Sequence, residues 1–146
     1  MSKFYLENSS VLITGASAGI GREFARQLAG CADKLVLVAR RRDRLEALRD
    51  ELTKCDPNLQ VHVRVTDLSD DRSVIELCNW LEREKLSIDL LINNAGLGDT
   101  GLFATSEIKR VKEMLAVNIT ALTLLTRLLL PGMIVRRRGA DGRRRM

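Results

Sequence analysis

Residues 11–29 read VLITGASAGIGREFARQLA, a short apolar run followed by a glycine-rich turn and a helical pattern. This order predicts a strand, a tight turn and a helix. Gly15, Gly19 and Gly21 let the backbone turn sharply and let a ligand approach where a Cβ would collide. The N–H groups that open the helix, together with its dipole, favour an anion such as a dinucleotide pyrophosphate. A glycine-rich turn without a ligand is the alternative interpretation. A Walker phosphate loop is excluded because Arg22, rather than a lysine, follows Gly21.

Length and composition favour one soluble domain. The chain has 146 residues, of which 45% are apolar. No apolar run in it is expected to be long enough to span a membrane. The first residues, MSKFYLEN, lack the apolar core and cleavage site of a secretory signal. Cys31, Cys55 and Cys78 are widely spaced without a C-x-x-C pair, so neither a disulfide framework nor a zinc site is expected. We therefore expect a cytoplasmic protein that has free thiols and binds no metal.

The excess charge lies at the carboxyl end of the sequence. The net charge is +5, and residues 136–146, RRRGADGRRRM, hold six arginines and one aspartate. Of the 24 basic and 19 acidic groups in the chain, 18 of each therefore fall in the first 135 residues, which are neutral as a whole. A segment with the composition of 136–146 cannot bury enough apolar surface to pack. We predict a folded domain over residues 1–135 and a disordered arginine-rich tail over 136–146.

Strand and helix signals alternate along the predicted domain. Apolar or alternating runs of strand length recur at 35–39, 61–65 and 88–92, and amphipathic helical patterns lie between them. This rhythm predicts an α/β fold, a Rossmann-like doubly wound parallel sheet, with strand 61–65 at an edge. A last helix is predicted over 106–130. Its buried stripe is expected to hold Asn118 together with Ile108, Val111, Leu115, Leu122, Leu125 and Leu129.

Four motifs together resemble the short-chain dehydrogenase/reductase family. They are the turn Thr-Gly-x-x-x-Gly-x-Gly over 14–21, Asp67-Leu68 after the third strand, Asn93-Asn94-Ala95-Gly96 after the fourth, and Asn118 in the next helix. They fall in family order, and the resemblance runs from about residue 11 to about residue 135. It implies that residues 1–135 are an NAD(P)-binding domain. It also implies an oxidoreductase that transfers a hydride between nicotinamide and a small carbonyl or alcohol.

The resemblance also assigns roles to individual residues. Asp67 would accept a hydrogen bond from the adenine amino group, although a solvated helix-capping carboxylate is the alternative. Asn93 and Asn94 would hold the strand end through their amides, and Gly96 would leave room for the ribose and nicotinamide. Asn118 would be catalytic, binding a water that leads to the catalytic lysine, or else it is a structural amide bonded to backbone. The cofactor-binding residues implied are Gly15, Ser17, Gly19, Ile20, Gly21, Arg40, Asp67, Leu68, Asn94, Ala95 and Gly96.

The end of the second strand favours NADP over NAD. An NAD-specific site places a carboxylate about 20 residues beyond the glycines, where it binds the ribose 2′-hydroxyl. This chain has Ala39 followed by Arg40, Arg41 and Arg42. Arg40 can bind a 2′-phosphate through charge-assisted hydrogen bonds, and no carboxylate repels it. The alternative is a solvated basic start to a helix, which accounts best for Arg42 and Arg44.

The sequence then departs from the family pattern. A member continues into a fifth strand that ends in the catalytic serine, followed by a helix with Tyr-x-x-x-Lys. Here the one tyrosine is Tyr5, and no lysine follows Lys112. Hydride transfer to a carbonyl needs a proton donor, so we expect the chain as given to be inactive, an incomplete cofactor domain. His62 lies on a strand, far along the chain from the nicotinamide end, and cannot replace that donor.

Three interpretations of function stay open from the sequence. They are an enzyme whose second half is absent from this sequence, a non-catalytic nucleotide-binding remnant with an interaction role, and a basic-tailed nucleic-acid binder, which is the least favoured. A substrate is expected to bind only if the second half is supplied. Because the family's fifth strand would pair with strand 88–92, that strand becomes an open edge here, and self-association is expected. No membrane partner is expected.

Overall fold

A computed structural model of the chain describes residues 8–136. Four strands alternate with helices, and all four are parallel in the order β3-β2-β1-β4. This arrangement confirms the predicted α/β Rossmann-like fold. The strands are β1 (Ser10–Thr14), β2 (Lys34–Ala39), β3 (Gln60–Val65) and β4 (Leu90–Ile92), and the helices are α1 (Gly19–Leu28), α2 (Arg42–Cys55), α3 (Asp71–Arg83), α4 (Ile108–Leu115) and α5 (Leu122–Arg136).

Alternate residues of the two central strands pack against different helical layers. Val11 and Ile13 of β1 share a core cluster with Ala25 of α1 and the leucines of α2. Leu12 shares a second cluster with residues of α3 and α5, among them Leu77 and Leu125. Successive side chains of a strand point to opposite faces of the sheet, and here helical layers cover both faces. Side chains on both faces of β1 are therefore buried, and the strand reads as a continuous apolar run.

The carboxyl ends of the four strands meet at one edge of the sheet. Thr14 pairs with Val38, Ile13 with Ile92, and Ala39 with Val65. The chain order reverses between β1 and β4, because β2 and β3 lie on one side of β1 and β4 lies on the other. The crevice above such a reversal is where open α/β sheets bind their ligands.

Strand β4 is shorter than predicted and lies at the edge of the sheet formed by residues 8–136. Ile88 and Asp89, which were expected to begin it, precede the strand and are buried. The carboxylate of Asp89 accepts a hydrogen bond of 3.0 Å from the Ser10 N–H, so a side chain replaces one rung of the β ladder. Arg136 donates to the Ile88 carbonyl oxygen at 2.7 Å, which ties the end of α5 to the start of β4.

The last helical segment differs from the prediction in both length and phase. Helices α4 and α5 are joined by a π-helical turn, Ala116–Ala121, and α5 continues through Pro131 to Arg136. The predicted buried stripe is therefore largely wrong: Leu125 is buried, but Ile108, Leu115 and Leu122 are exposed. Burial of Met133 beyond the proline accounts for the continuation of the helix. The residues that the fold buries in this segment are Val117, Ala121, Leu125 and Met133.

This same helical segment corrects the expectation that no apolar part of the chain is long enough to span a membrane. Helix Ile108–Arg136 has 29 residues, and its most apolar window has a mean hydropathy of 1.6 with 17% of the window buried. By length and composition alone it could cross a bilayer. A core helix of a soluble domain can meet the same criterion, and here Val117, Ala121 and Leu125 pack against α3. Arg136, the first residue of the predicted tail, ends this helix, and 137–146 lie outside the described residues.

Strand β3 lies at the opposite edge, as predicted. His62 is half-buried, with its ring centroid 6.5 Å from that of Trp80 in an edge-to-face arrangement. The Arg64 guanidinium lies 5.4 Å from the centroid of the same indole. Burial, followed by the charge of Lys34, lowers the pKa of His62 below its usual value. These contacts give His62 a packing role in the edge strand.

Candidate cofactor-binding site

A cleft of about 590 Å³ lies above the carboxyl ends of the strands. Ten of the eleven residues predicted to bind a cofactor line it, although they come from four separate stretches of sequence. The eleventh, Gly21, is buried and lies close to Gly15 and the Asn94 side chain, two residues that line the cleft. The predicted residues that line the cleft are Gly15, Ser17, Gly19, Ile20, Arg40, Asp67, Leu68, Asn94, Ala95 and Gly96.

Two glycines of the turn are required for different physical reasons. Gly15 has φ +69°, a left-handed conformation that other residues rarely adopt. A Cβ on Gly21 would lie 2.5 Å from the Gly15 carbonyl oxygen and closer still to the side-chain amide of Asn94. Gly21 therefore lets helix α1 pack directly on the turn and on the chain after β4.

The amino terminus of α1 faces the cleft. The helix begins at Gly19, and Ala18 and Gly19 both line the cleft wall. Ala18, the N-cap residue, supplies no side-chain hydrogen bond, and the first turn holds no acidic residue. The N–H groups of that turn have no side-chain cap in the part of the chain that the structure describes. Together with the helix dipole, they suit a negatively charged group in the cleft.

A hydrogen-bond network centred on Thr14 joins the ends of β1 and β4. The Thr14 hydroxyl accepts hydrogen bonds of 3.0 Å from the N–H groups of both Asn94 and Ala95, and it donates to the Ile92 carbonyl at 3.3 Å. The Asn94 side chain returns a hydrogen bond of 3.0 Å to the Thr14 carbonyl. Thr14 is 2% exposed, and these bonds are partly buried. The network fixes the two walls of the cleft relative to each other.

The end of the cleft beyond β2 is basic. Arg40 and Arg41 both line it, whereas Arg42 points along its own helix and pairs with Glu46 at 3.4 Å. Arg41 donates a hydrogen bond of 3.2 Å to the hydroxyl of buried Ser17, and this bond links the glycine turn to the end of β2. Two guanidinium groups therefore border this end, of which the sequence singled out only Arg40.

Asp67 begins the turn after β3 at the same end of the cleft. Its Oδ1 accepts hydrogen bonds from the Ser69 N–H at 3.0 Å and the Ser69 hydroxyl at 2.8 Å. The Ser69 N–H is the main cause that lowers the pKa of Asp67; the Ser69 hydroxyl and the Arg40 charge add to it, and partial burial opposes it. Asp70 caps α3 by accepting from the Arg72 N–H, whereas Ser69 bonds to Asp67. A carboxylate held in this way is ionised and fixed.

Asn118 does not lie on a buried stripe, and the structure corrects that expectation. Its side chain is exposed, and its amide makes two hydrogen bonds with one backbone residue. The Leu97 N–H donates to Asn118 Oδ1 at 2.8 Å, and Asn118 Nδ2 donates to the Leu97 carbonyl at 2.8 Å. The π-helical turn that contains Asn118 brings it to this position. The geometry is that of the structural amide bonded to backbone, the alternative that the sequence left open.

Several cleft residues carry no clear signal in the sequence. Thr66 is buried, and its hydroxyl oxygen has no hydrogen-bond partner among residues 8–136. Asn93, by contrast, turns away from the cleft and donates to the Thr126 hydroxyl at 3.1 Å. Within the same residues, no group of three or more His, Cys, Asp or Glu could hold a metal ion. The lining residues that sequence reasoning missed are Ala18, Ala39, Arg41, Thr66, Leu97 and Val117.

Comparison with known proteins agrees with this geometry. The family model described as short chain dehydrogenase matches residues 9–141. A very-long-chain 3-oxoacyl-CoA reductase from Coccidioides immitis (strain RS) is 34% identical over 143 residues, covering 95% of the chain and 40% of that relative. Dehydrogenase/reductase SDR family member 7B from Bos taurus is 35% identical, covering 92% of the chain and 43% of that relative. The chain thus spans less than half the length of these two relatives.

A solved structure with the same fold contains a bound dinucleotide. A metagenomic short-chain oxidoreductase in complex with NADP superposes with a TM-score of 0.85 at 31% identity. The alignment covers 92% of this chain and 60% of that protein.

Proposed function

The chain belongs to the short-chain dehydrogenase family, and from this premise we propose that it binds NADP(H) in the cleft above its sheet. The observation that carries the proposal is the glycine turn that opens an uncapped helix terminus at the carboxyl end of β1. The residues proposed to bind the cofactor are the eleven predicted from the sequence, together with Arg41. The test is a titration of the 146-residue chain with NADPH, followed by nicotinamide fluorescence, for which we expect saturable binding.

The ends of the cofactor are assigned by charge and by space. The pyrophosphate would lie at the amino terminus of α1, where N–H groups and the helix dipole face the cleft. The adenosine would lie between Arg40 and Asp67, and the nicotinamide would approach Gly96, where the absence of a side chain leaves room. The fixed carboxylate of Asp67 is the proposed acceptor for the adenine amino group.

The proposed preference for NADP rests on the arginines that follow β2. One arginine bound to a phosphate contributes roughly 1.5–3 kcal/mol, so NADP should bind roughly one to two orders of magnitude more tightly than NAD. We expect Arg40→Ala to remove most of this preference, as measured by calorimetric titration with both cofactors. Arg42→Ala is the matched control, because Arg42 pairs with Glu46 outside the cleft. Equal affinities of the unmutated chain for NADP and NAD would contradict the proposed preference.

The reaction proposed for the family site is hydride transfer between the nicotinamide and a carbonyl or alcohol. The sequence contains no Tyr-x-x-x-Lys, and among residues 8–136 the one acidic residue that lines the cleft is Asp67, at the end proposed for the adenosine. We therefore expect the 146-residue chain to bind NADPH without oxidising it in the presence of ketones or aldehydes. The measurement is absorbance at the NADPH band across a carbonyl panel. Turnover that survives repurification would contradict this expectation.

The names of three relatives suggest a substrate class as a second, finer proposal. Several curated relatives are very-long-chain 3-oxoacyl-CoA reductases, so a 3-oxoacyl thioester is the candidate carbonyl compound for the protein that contains this domain. A non-catalytic nucleotide-binding remnant remains the alternative for the chain by itself.

A cytoplasmic location and self-association along β4, whose outer edge is unpaired within residues 8–136, stay predictions.

A further inference from the structure

Helix α5 has few polar side chains, although the domain covers only part of it. Between Glu113 and Arg136 the one charged residue is Arg127, and the hydroxyls of Thr123 and Thr126 donate to carbonyls of the same helix. A helix without a polar face is normally buried in a protein or in a membrane. Only 17% of the most apolar window of the helix over 108–136 is buried. Most of that apolar surface therefore faces away from the domain.

The apolar side chains that stay exposed gather at the end of α5. Ile134 is 64% exposed and Val135 81%, and Leu128, Leu130 and Pro131 are exposed as well. At about 100° per residue, these five residues fall within an arc of roughly 160° around the helix. We call them the apolar arc. Exposed apolar surface of this kind is typical of a contact with another protein or with a membrane.

The opposite side of α5 is fixed to the domain. Leu125 is fully buried in the core cluster that contains residues of α3, and Met133 is buried one turn before the helix ends. Arg136 donates to the Ile88 carbonyl at 2.7 Å and lies 4.0 Å from the Asp89 carboxylate. A transmembrane orientation would pull these groups out of the core. The apolar arc can therefore meet a membrane only if α5 lies along its surface.

Positive charge follows the apolar arc directly in the sequence. Residues 136–146 contain six arginines and one aspartate, and no acidic residue occurs over 114–140. Arg127 adds a long side chain that can reach lipid headgroups while its stem stays in an apolar layer. An apolar helix face with basic residues beside it is typical of helices that lie on anionic membranes.

We infer that the apolar arc, together with the arginines that follow it, binds the surface of a bilayer that contains anionic phospholipids. The inference goes beyond the proposed function, since none of the residues 122–136 lines the cofactor cleft. It also replaces the expectation from the sequence that no membrane partner binds.

Charge decides between this occupant and two others. A second copy of the chain, packed arc against arc, would bring two arginine-rich segments together, and they repel at separations within about 8 Å at physiological salt. A nucleic acid would pair with the arginines but would leave the apolar arc in water. An anionic bilayer takes up both, because its headgroups are negative and its interior is apolar.

The test is co-sedimentation of the 146-residue chain with vesicles at physiological salt. The vesicles consist of phosphatidylcholine alone, or of phosphatidylcholine and phosphatidylserine at about two to one. Each arginine near an anionic surface strengthens binding about fivefold, so we expect the mixed vesicles to bind at least about tenfold more tightly.

The variant Ile134→Ser/Val135→Ser tests the apolar arc. It should weaken binding to the mixed vesicles about tenfold or more, because it removes two large apolar side chains from the contact. The matched control is Leu102→Ser/Phe103→Ser, which removes side chains that are 78% and 81% exposed in the loop before α4. This control should leave vesicle binding unchanged.

The variant Arg143→Gln/Arg144→Gln/Arg145→Gln tests the charge. It should weaken binding to the mixed vesicles at least about tenfold and leave binding to phosphatidylcholine alone unchanged. It alters none of the residues 8–136, so it tests the inference even if the serine variant of α5 fails to fold, which thermal unfolding reveals.

Four results would overturn the inference. The first is equal binding to the two kinds of vesicle, and the second is an equal effect of the α5 serine variant and its loop control. The third is binding that depends on the arginines but not on the apolar arc, which is a contact by charge alone, as is tighter binding to a DNA duplex than to the mixed vesicles. The fourth is a sedimentation coefficient of the lipid-free chain that falls only in the α5 variant while vesicles do not bind, which assigns the arc to a second copy.

Discussion

Replacing Thr14 by valine should lower the free energy of unfolding by about 1–3 kcal/mol, although the two side chains have nearly the same shape. The hydroxyl of Thr14 accepts hydrogen bonds from two backbone N–H groups, those of Asn94 and Ala95, in a position that is 2% exposed. Valine would leave the Ala95 N–H without an acceptor, whereas the Asn94 N–H would keep the Ile92 carbonyl oxygen, which lies 3.0 Å away. The loss of an acceptor for buried donors costs more than the net contribution of a hydrogen bond.

Urea denaturation followed by circular dichroism measures this change in stability. The control is Thr123→Val, which also removes a hydroxyl but takes it from an exposed position on the helix, where it bonds only to the Ile119 carbonyl. We expect the control to change the free energy of unfolding by less than about 0.5 kcal/mol. Equal effects of the two substitutions would show that the Thr14 network does not hold β1 and β4 together.

The substitution Gly21→Ala should weaken NADPH binding about tenfold or more and destabilise the fold by about 1–3 kcal/mol. The new methyl group would lie 2.5 Å from the Gly15 carbonyl oxygen and would also strike the Asn94 amide. Since one of these obstacles is backbone, the turn itself has to move, and with it the first N–H groups of α1. Those groups are the ones proposed to bind the pyrophosphate.

Gly30→Ala is the control for this prediction, because nothing lies within 4 Å of a Cβ at that position and its φ does not fall in the left-handed range. It should leave NADPH affinity unchanged and should not lower stability. Fluorescence titration and thermal unfolding give the two readouts. Binding of NADPH by Gly21→Ala with unchanged affinity would mean that the pyrophosphate does not lie at this turn.

The sequence, with the family resemblance that it carries, was sufficient to predict a parallel sheet, its two edge strands and most of the cleft. Parallel strands leave a strong signal, because β1 and β2 are buried on both faces and read as apolar runs such as 35–39. The glycines of the turn are equally visible, since their conformations and close contacts exclude other residues. Once the strand ends are placed, Asp67 and Asn94 come to the cleft with them, because the carboxyl ends of parallel strands meet at one edge.

The long helix could not be predicted in the same way. A helical wheel assumes one period throughout, but the π-helical turn Ala116–Ala121 inserts a wider turn and shifts the phase of everything after it. For that reason Leu122 is exposed where burial was expected, and Asn118, inside the turn, faces a loop. The pairing of Arg41 with Ser17 was also invisible, because it depends on how two loops approach each other in space.

The two hydrogen bonds between Asn118 and Leu97 decide whether the start of the loop after β4 becomes ordered on folding or on ligand binding. The Asn118 amide offers an acceptor oxygen and a donor nitrogen, as the backbone of a neighbouring strand would. It therefore satisfies both backbone groups of Leu97, at a position where no strand is present among residues 8–136. Conformational entropy at the start of this loop is therefore lost when the chain folds, and not when a ligand arrives. Hydrogen exchange at the Leu97 amide should accordingly report on local opening of the helix that carries Asn118, whether or not the cleft is filled.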